Sequence, residues 1–247
     1  MPKWCPAKVV EKKIWTDGLF TLTIESDNVQ AFSPGQFLHL ALGDEENRVN
    51  RPYSVASPHG KQLDFFIVRV DDGELTPRLW DLGPGDSLEV SERAAGSFTL
   101  KKTPDASVLW LVSTGTGLAP YIAMLRTDEP WERFEKIVVV HGVRVAADLA
   151  YTEELKSLET KYEGRFKLVQ TLTREETPDT MHGRIPNLVV DGLLESHVGW
   201  EITKDNSAVL LCGNPAMLDD MEAKLGDRGM TKHRTKAPGQ IVLERYW

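Results

Sequence analysis

Cysteine is scarce in this sequence: its 247 residues include only Cys5 and Cys212. Two thiols cannot by themselves complete a zinc site, and they cannot supply a four-cysteine iron–sulfur cluster. We therefore predict no metal centre. Any iron–sulfur partner must be a separate molecule.

Long apolar runs and an excess of positive charge are also missing. No run approaches the ~20 residues that span a bilayer, and the start, MPKWCPAKVV, lacks the apolar core of a signal peptide. The net charge of −8 argues against general nucleic-acid binding, although Lys232-His233-Arg234 can form a local anion site. We predict a cytoplasmic protein that binds neither membrane nor nucleic acid.

The pattern of secondary structure changes near residue 101. Before it, short β-like runs separated by turn residues are typical of a small antiparallel β-barrel. After it, buried strands alternate with helical segments, as in a parallel α/β sheet. The predicted strands are 7–14, 19–24, 37–42, 53–56, 63–70, 87–91, 108–112, 136–141, 166–171, 208–212 and one near 240–244, with helices over 148–162 and 215–225. We predict two domains, residues 1–101 and 102–247.

The strand predicted at 108–112 runs into a glycine turn that contains Gly115, Thr116 and Gly117. Pro120 then suits the first turn of a helix. A strand–turn–helix of this kind presents backbone N–H groups at a helix N-terminus, and glycine lets a pyrophosphate approach the backbone. Pro120 stands where the dinucleotide fingerprint has glycine or alanine, so a turn without a ligand remains an alternative.

One stretch of the first domain has the chemistry of a flavin site, and a second could bind a phosphate. Arg51 can pair with a phosphate, Tyr53 on the same side of a strand can stack on a planar ring, and Ser54 adds a hydroxyl. The stretch Gly73 to Thr76 precedes a short helix that Thr76 can cap, with Pro77 in its first position. An edge strand with polar residues and an ordinary capped helix are the alternatives.

Three arginines follow predicted strands of the second domain. Arg144 lies past one strand, Thr173 and Arg174 past the next, and Arg184 in the following loop. Carboxyl ends of parallel strands share one edge of a sheet, where ligands bind. Guanidinium pairs with phosphate and stays charged, so this placement favours a binding site for the 2′-phosphate of NADP. The alternative is that each arginine is an ordinary solvated surface residue.

These motifs together resemble the bacterial ferredoxin (flavodoxin)–NADP reductases over essentially the whole chain. The resemblance rests on Pro34-Gly35-Gln36-Phe37, Arg51-Pro52-Tyr53-Ser54, Gly73 to Thr76, Gly115 to Pro120, Cys212-Gly213-Asn214-Pro215 and the aromatic C-terminus. It implies an FAD-binding barrel and an NADP-binding α/β domain. FAD would contact Arg51, Pro52, Tyr53, Ser54, Gly73, Leu75, Thr76, Thr116, Tyr246 and Trp247. NADP would contact Gly115, Thr116, Gly117, Arg144, Thr173, Arg174, Arg184, Cys212, Gly213 and Asn214.

The resemblance also implies roles near the reacting rings. Cys212 would line the nicotinamide pocket as a positioning residue, although a buried thiol is usually inert packing. Ser54 and Glu244 are the candidates for proton handling. Related enzymes end in E-x-Y, and Trp247 extends one residue beyond that pattern. Whether Tyr246 or Trp247 stacks on FAD therefore stays open.

The implied activity is that of an FAD-dependent oxidoreductase. NADPH would pass a hydride to the flavin, and a separate ferredoxin or flavodoxin would exchange single electrons with it. A monomer is expected. The alternatives are an NAD(P)H-dependent flavin reductase, a reductase component of an oxygenase and, in another class, a nucleotide-binding regulator without catalysis.

Overall fold

The computed structural model describes residues 3–234 and 236–245, which form two compact units. The first contains the chain up to Leu100 together with Ala119–Thr127, and the second contains Lys101–Leu118 and the chain from Asp128 onward. Each unit has a six-stranded sheet. The division after residue 101 stays a prediction, and the contacts add residues 119–127 to the first unit.

The first unit is an antiparallel sheet whose two end strands meet. Its strands are β1 (Trp4–Thr16), β2 (Leu19–Glu25), β3 (Phe37–Leu42), β4 (Val49–Ser54), β5 (Gln62–Val68) and β6 (Ser87–Ser91), with helix α1 (Thr76–Asp81) between β5 and β6. They lie in the order β4-β3-β6-β1-β2-β5. Val55, just past β4, forms a bridge to Phe65 of β5, and the Ala56 N–H donates to the Asp64 carbonyl at 2.7 Å. The sheet thus curls into the predicted barrel.

Alternating side chains explain this unit's core. Phe20, Leu22 and Ile24 point inward from β2, and all three are buried. The strand predicted over 53–56 instead runs over Val49–Ser54 and contains Pro52. Proline lacks the N–H for a second neighbour, and β4 tolerates it because it is an end strand.

Residues 119–127 pack within the first unit. They include helix α2 (Ala119–Leu125), all of whose residues are buried. The Tyr121 ring lies 5.9 Å from the Phe98 ring, centroid to centroid. Arg126 Nη1 donates to the Asp64 carboxylate at 2.7 Å and to the Ala56 carbonyl at 3.1 Å. The helix that follows the glycine turn is therefore tied to the strands of the barrel.

The second unit is a parallel sheet with helices, as predicted. Its strands are β7 (Val108–Thr114), β8 (Lys136–Val143), β9 (Phe166–Leu172), β10 (Met181–His182), β11 (Ser207–Gly213) and β12 (Ile241–Arg245), in the order β10-β9-β8-β7-β11-β12. Its helices are α3 (Glu129–Arg133), α4 (Thr152–Lys161), α5 (Ile185–Val190), α6 (Leu193–Val198) and α7 (Pro215–Asp227). Strand β10 was not predicted, and α4 begins four residues later than the sequence indicated. No helix in residues 3–234 and 236–245 has both the length and the apolar content to cross a membrane.

Candidate functional site

The glycine turn lies at the carboxyl end of β7. Residues Gly115–Leu118 form one turn of 3₁₀ helix. Gly115 has a φ of +54°, a conformation that glycine adopts at little cost. A methyl group on Gly117 would come within 2.4 Å of the Cys212 carbonyl oxygen. Only glycine at 117 therefore allows the turn to lie against the end of β11.

A second glycine turn joins β11 to α7. Gly213 has a φ of +135°, and a methyl group there would come within 2.3 Å of the Thr114 hydroxyl oxygen. The Asn214 N–H donates to that same hydroxyl oxygen at 2.8 Å. The Asn214 side chain accepts from the Ala216 N–H at 2.9 Å, so it caps α7, whose first residue is Pro215. The two turns are thus joined through Thr114, which sequence reasoning missed.

A row of polar side chains crosses the sheet just below these turns. The strand register pairs Gln170 with His141, His141 with Ser113, Ser113 with Cys212, and Cys212 with Glu244. Directly paired residues of neighbouring strands point to the same face. Cys212 and Glu244, both predicted for the site, are therefore neighbours on one face.

His141 is the fully buried basic residue of this row. Its Nε2 lies 3.1 Å from the Gly115 carbonyl oxygen. Burial lowers the pKa of His141 to about 4, against a smaller opposing effect of that hydrogen bond. The imidazole is therefore neutral at physiological pH. The signal in the sequence was a histidine at the end of a valine run, Val138 to His141, where an apolar residue is expected.

The predicted arginines follow three adjacent strands. Arg144 follows β8, Arg174 lies two residues past β9, and Arg184 lies two residues past β10. The backbone N–H of Arg174 donates to the backbone carbonyl of Arg144 at 2.9 Å, which places these two residues side by side. All three arginines are exposed, as is Thr173. They lie at the carboxyl edge of the sheet, as the spacing predicted.

The carboxyl edge has the groups that a phosphorylated dinucleotide requires. The glycine turn leaves open space at the Gly115 Cα, and guanidinium groups lie at the same edge of the sheet. Glu175, the acidic residue next to Arg174 in the sequence, accepts a hydrogen bond from the backbone N–H of Ala146 at 2.7 Å. The residues present fit an anionic ligand.

In the first unit, the candidate residues lie on and beside end strand β4. Arg51 and Tyr53 share one face of the strand, while Ser54 at its end is only 4% exposed. Burial raises the pKa of Tyr53 to about 12, opposed by the charge of Arg51. The phenol therefore stays protonated. A half-buried neutral ring beside an exposed guanidinium fits a flavin with its phosphates.

The structure brings Arg51 to the turn that begins at Gly73. Arg51 Nη2 donates to the Glu74 carboxylate at 2.5 Å, and both side chains are exposed. The Leu75 side chain is buried in the barrel core, so only its backbone can meet a ligand. The first unit thus assembles two predicted phosphate-binding elements at one place.

The predicted role of Thr76 as a helix cap is wrong. Leu75 occupies the N-cap position of α1, and no side chain caps this helix. The Thr76 hydroxyl instead accepts the Val70 N–H at 2.9 Å and donates to the Val70 carbonyl at 3.2 Å. These bonds close the loop over residues 70–76. Tyr246 and Trp247, the predicted stacking residues, lie outside the described residues.

Comparison with known proteins identifies similar chains over the full length. The family described as oxidoreductase NAD-binding domain matches residues 111–223. The chain is 42% identical to the flavodoxin/ferredoxin–NADP reductase of Escherichia coli over 100% of both chains. It is 35% identical to the ferredoxin–NADP reductase of Azotobacter vinelandii, covering 96% of this chain and 95% of that one.

A solved structure gives the same result. The ferredoxin NADP⁺ reductase of Neisseria gonorrhoeae, with bound FAD and NADP, superposes with a TM-score of 0.94 at 28% identity and covers 100% of both chains. At this likeness the fold of each of the two units is shared.

The buried imidazole predicts a loss of stability in acid. The pKa of His141 is about 4 in the folded chain and ~6.5 when unfolded. The unfolded chain binds the extra proton between these values, so stability should fall as the pH drops from about 6.5 towards 4, by on the order of 3 kcal/mol from this residue. We expect His141→Gln, which stays neutral, to lose that part of the pH dependence.

The measurement is the free energy of unfolding in urea at about pH 7 and about pH 5. His182→Gln is the control, because His182 is an exposed histidine of the same sheet. If wild type and His141→Gln show the same decrease, the imidazole is not held neutral by burial.

Proposed function

The chain belongs to the flavodoxin/ferredoxin–NADP reductase family and is an FAD-dependent oxidoreductase; on that premise we propose which of its residues bind the two cofactors and which proteins it serves. The observation that carries the proposal is the pairing of the Gly115–Leu118 turn with arginines after three adjacent strands. This arrangement binds a dinucleotide that bears an additional phosphate.

We assign FAD to the first unit, residues 1–101 in the predicted division. Arg51 and the backbone of Gly73, Leu75 and Thr76 bind its pyrophosphate. Tyr53 lies against the planar ring system, and Pro52 and Ser54 line it. Support comes from the 2.5 Å bond that brings Arg51 to Glu74, beside Gly73. Thr116, Tyr246 and Trp247 are assigned to FAD by the family resemblance alone.

NADP(H) is assigned to residues 102–247. The turn at Gly115, Thr116 and Gly117 receives the pyrophosphate, because its glycines let a ligand approach the backbone. The 2′-phosphate is bound by the exposed side chains of Arg144, Thr173, Arg174 and Arg184. Cys212, Gly213 and Asn214 line the nicotinamide end. The support is the hydrogen bond between the backbones of Arg144 and Arg174.

When both cofactors are bound, they supply hydride transfer between nicotinamide and flavin and single-electron transfer to a carrier. The chain's own residues orient the rings and handle protons. The Cys212 thiol is fully buried, and we assign it as a positioning residue at the nicotinamide end rather than a nucleophile. The Ser54 hydroxyl can donate or accept a proton, and the Glu244 carboxylate can accept one.

The proposed partner is a ferredoxin, a flavodoxin or both, each a separate one-electron carrier. This assignment follows the names of the relatives. We also propose that the protein is a cytoplasmic monomer. The flavin reductase and the oxygenase reductase differ from the proposed enzyme in their electron acceptor. The regulator alternative has no electron acceptor.

The colour and the turnover of the purified protein test this function. We expect a yellow protein that NADPH bleaches, and faster turnover with ferredoxin or flavodoxin than with free flavin. A colourless protein, or one that NADPH does not bleach, would indicate the regulator. Faster turnover with free flavin would indicate a flavin reductase.

Arg51→Ala tests the FAD site. Arg51→Ala removes a charge-assisted hydrogen bond, which contributes ~1.5–3 kcal/mol. Because Arg51 is exposed, we expect a value near the lower end of that energy range, which weakens FAD binding by about tenfold or more. The dissociation constant of FAD is measured by fluorescence on apoprotein reconstituted with FAD.

Glu74→Gln is the matched variant, because it removes the carboxylate that competes for the Arg51 guanidinium. We expect it to bind FAD as tightly as wild type or more tightly. An unchanged FAD dissociation constant in Arg51→Ala would rule out the assigned contact.

Coenzyme choice tests the arginines. In the double variant Arg144→Gln, Arg174→Gln, we expect KM for NADPH to rise at least about tenfold, with KM for NADH within about twofold, because only NADPH has the 2′-phosphate. Steady-state kinetics with both coenzymes give these values. Lys167→Gln removes an exposed charge near the amino end of β9 and should change neither. Equal losses with NADPH and NADH would show that the arginines bind the shared part of the coenzymes.

A further inference from the structure

Histidine is an unusual residue at position 141, which is buried in a strand. It follows Val138, Val139 and Val140, and its ring is 0% exposed within the sheet of the second unit. Its Nδ1 is one of the few buried side-chain nitrogen or oxygen atoms, among the described residues, that have no hydrogen-bond partner. A buried unpaired polar atom costs free energy, and an apolar side chain would avoid that cost.

The one hydrogen bond of the ring determines its protonation. A carbonyl oxygen can only accept, so the Nε2 atom, 3.1 Å from the Gly115 oxygen, must carry the proton. In the neutral imidazole, Nδ1 then holds the lone pair. The ring is a single donor, and that donor is directed at the glycine turn.

This hydrogen bond orients the peptide that links Gly115 to Thr116. The described chain contains no cis peptide bonds. In a planar trans peptide, the C=O and the following N–H point in opposite directions. Because the Gly115 carbonyl points to His141 inside the sheet, the Thr116 N–H points away from that ring.

The rest of the turn is constrained from the other side. Gly117 lies so close to the Cys212 carbonyl that a methyl group there would come within 2.4 Å. Gly115 has a φ of +54°, and a methyl group placed on it would meet no atom within 4 Å. Neighbouring atoms therefore do little to limit rotation of the backbone at Gly115. The 3₁₀ turn gives the Gly115 carbonyl one partner, the Leu118 N–H, and the His141 Nε2–H is a second donor that fixes the direction of this carbonyl.

We infer that His141 is a positioning residue for the coenzyme: its Nε2–H holds the Gly115 carbonyl inward and so presents the Thr116 N–H to a phosphate oxygen of the nicotinamide dinucleotide. This rests on the proposed function of the Gly115–Gly117 turn. A pre-oriented N–H costs no reordering when the anion binds, which increases affinity. Since the pyrophosphate is common to both coenzymes, His141 should affect NADPH and NADH alike.

The test compares two variants of the holoenzyme with a control. His141→Phe fills the ring's space without a donor, whereas His141→Gln keeps a donor in the place of Nε2. Val138→Ala removes buried volume from the same strand, three residues from His141. Dissociation constants of NADP⁺ and NAD⁺ are measured from the change in flavin absorbance and by calorimetry, beside Tm.

We expect His141→Phe to weaken both NADP⁺ and NAD⁺ by about tenfold, the equivalent of one hydrogen bond. His141→Gln should restore both to within about threefold of wild type. Val138→Ala should lower Tm and leave both dissociation constants unchanged. Unchanged affinity in a folded His141→Phe, or the same loss in Val138→Ala, would overturn the inference. A wild-type protein that binds neither coenzyme would refute the proposed function instead.

A measurement on the unaltered protein covers the case in which His141→Phe does not fold. In ¹⁵N-labelled holoenzyme, the ring nitrogens of His141 should show the Nε2–H tautomer, and the Nε2 shift should move when NADP⁺ is added. An Nδ1–H tautomer, or ring shifts that NADP⁺ leaves unchanged, would show that His141 does not position the turn.

Discussion

The close contact between the backbone of Gly117 and the carbonyl of Cys212 governs the arrangement of the second unit's site. No side chain fits between them, since a methyl group on Gly117 would come within 2.4 Å of that oxygen. The contact fixes the turn after β7 against the end of β11. Gly213 makes a similar approach to Thr114, whose hydroxyl accepts the Asn214 N–H. The two turns can therefore lie against each other only because glycine stands at both positions.

Burial divides the polar groups of this unit into two kinds. The His141 imidazole is fully buried, so it stays neutral and acts only as a hydrogen-bond donor. Arg144 and Arg174 are exposed, so their guanidinium groups can meet an anion from solvent. We propose that the exposed charges select for a phosphate and that the buried ring helps to hold the turn in position.

Local patterns were enough to predict most elements. The buried strands β7, β8 and β11 each contain a continuous apolar run, and the Asn214–Pro215 start of α7 is a local capping signal. Strand β10 has two residues, and its formation depends on pairing with β9 rather than on its own pattern. The α1 cap was mispredicted because the Thr76 hydroxyl bonds Val70, a partner that the helix signal does not contain.

The sequence by itself determined the order of the two folds, the glycine turn and the arginines after successive strands, because each depends on residues close together in the chain. Only the tertiary structure decided that Arg144 and Arg174 are hydrogen-bonded neighbours, that Arg51 reaches Glu74, and that His141 donates to Gly115. These contacts join residues 23 to 30 positions apart. Strand register and burial set such distances, and no local pattern records them.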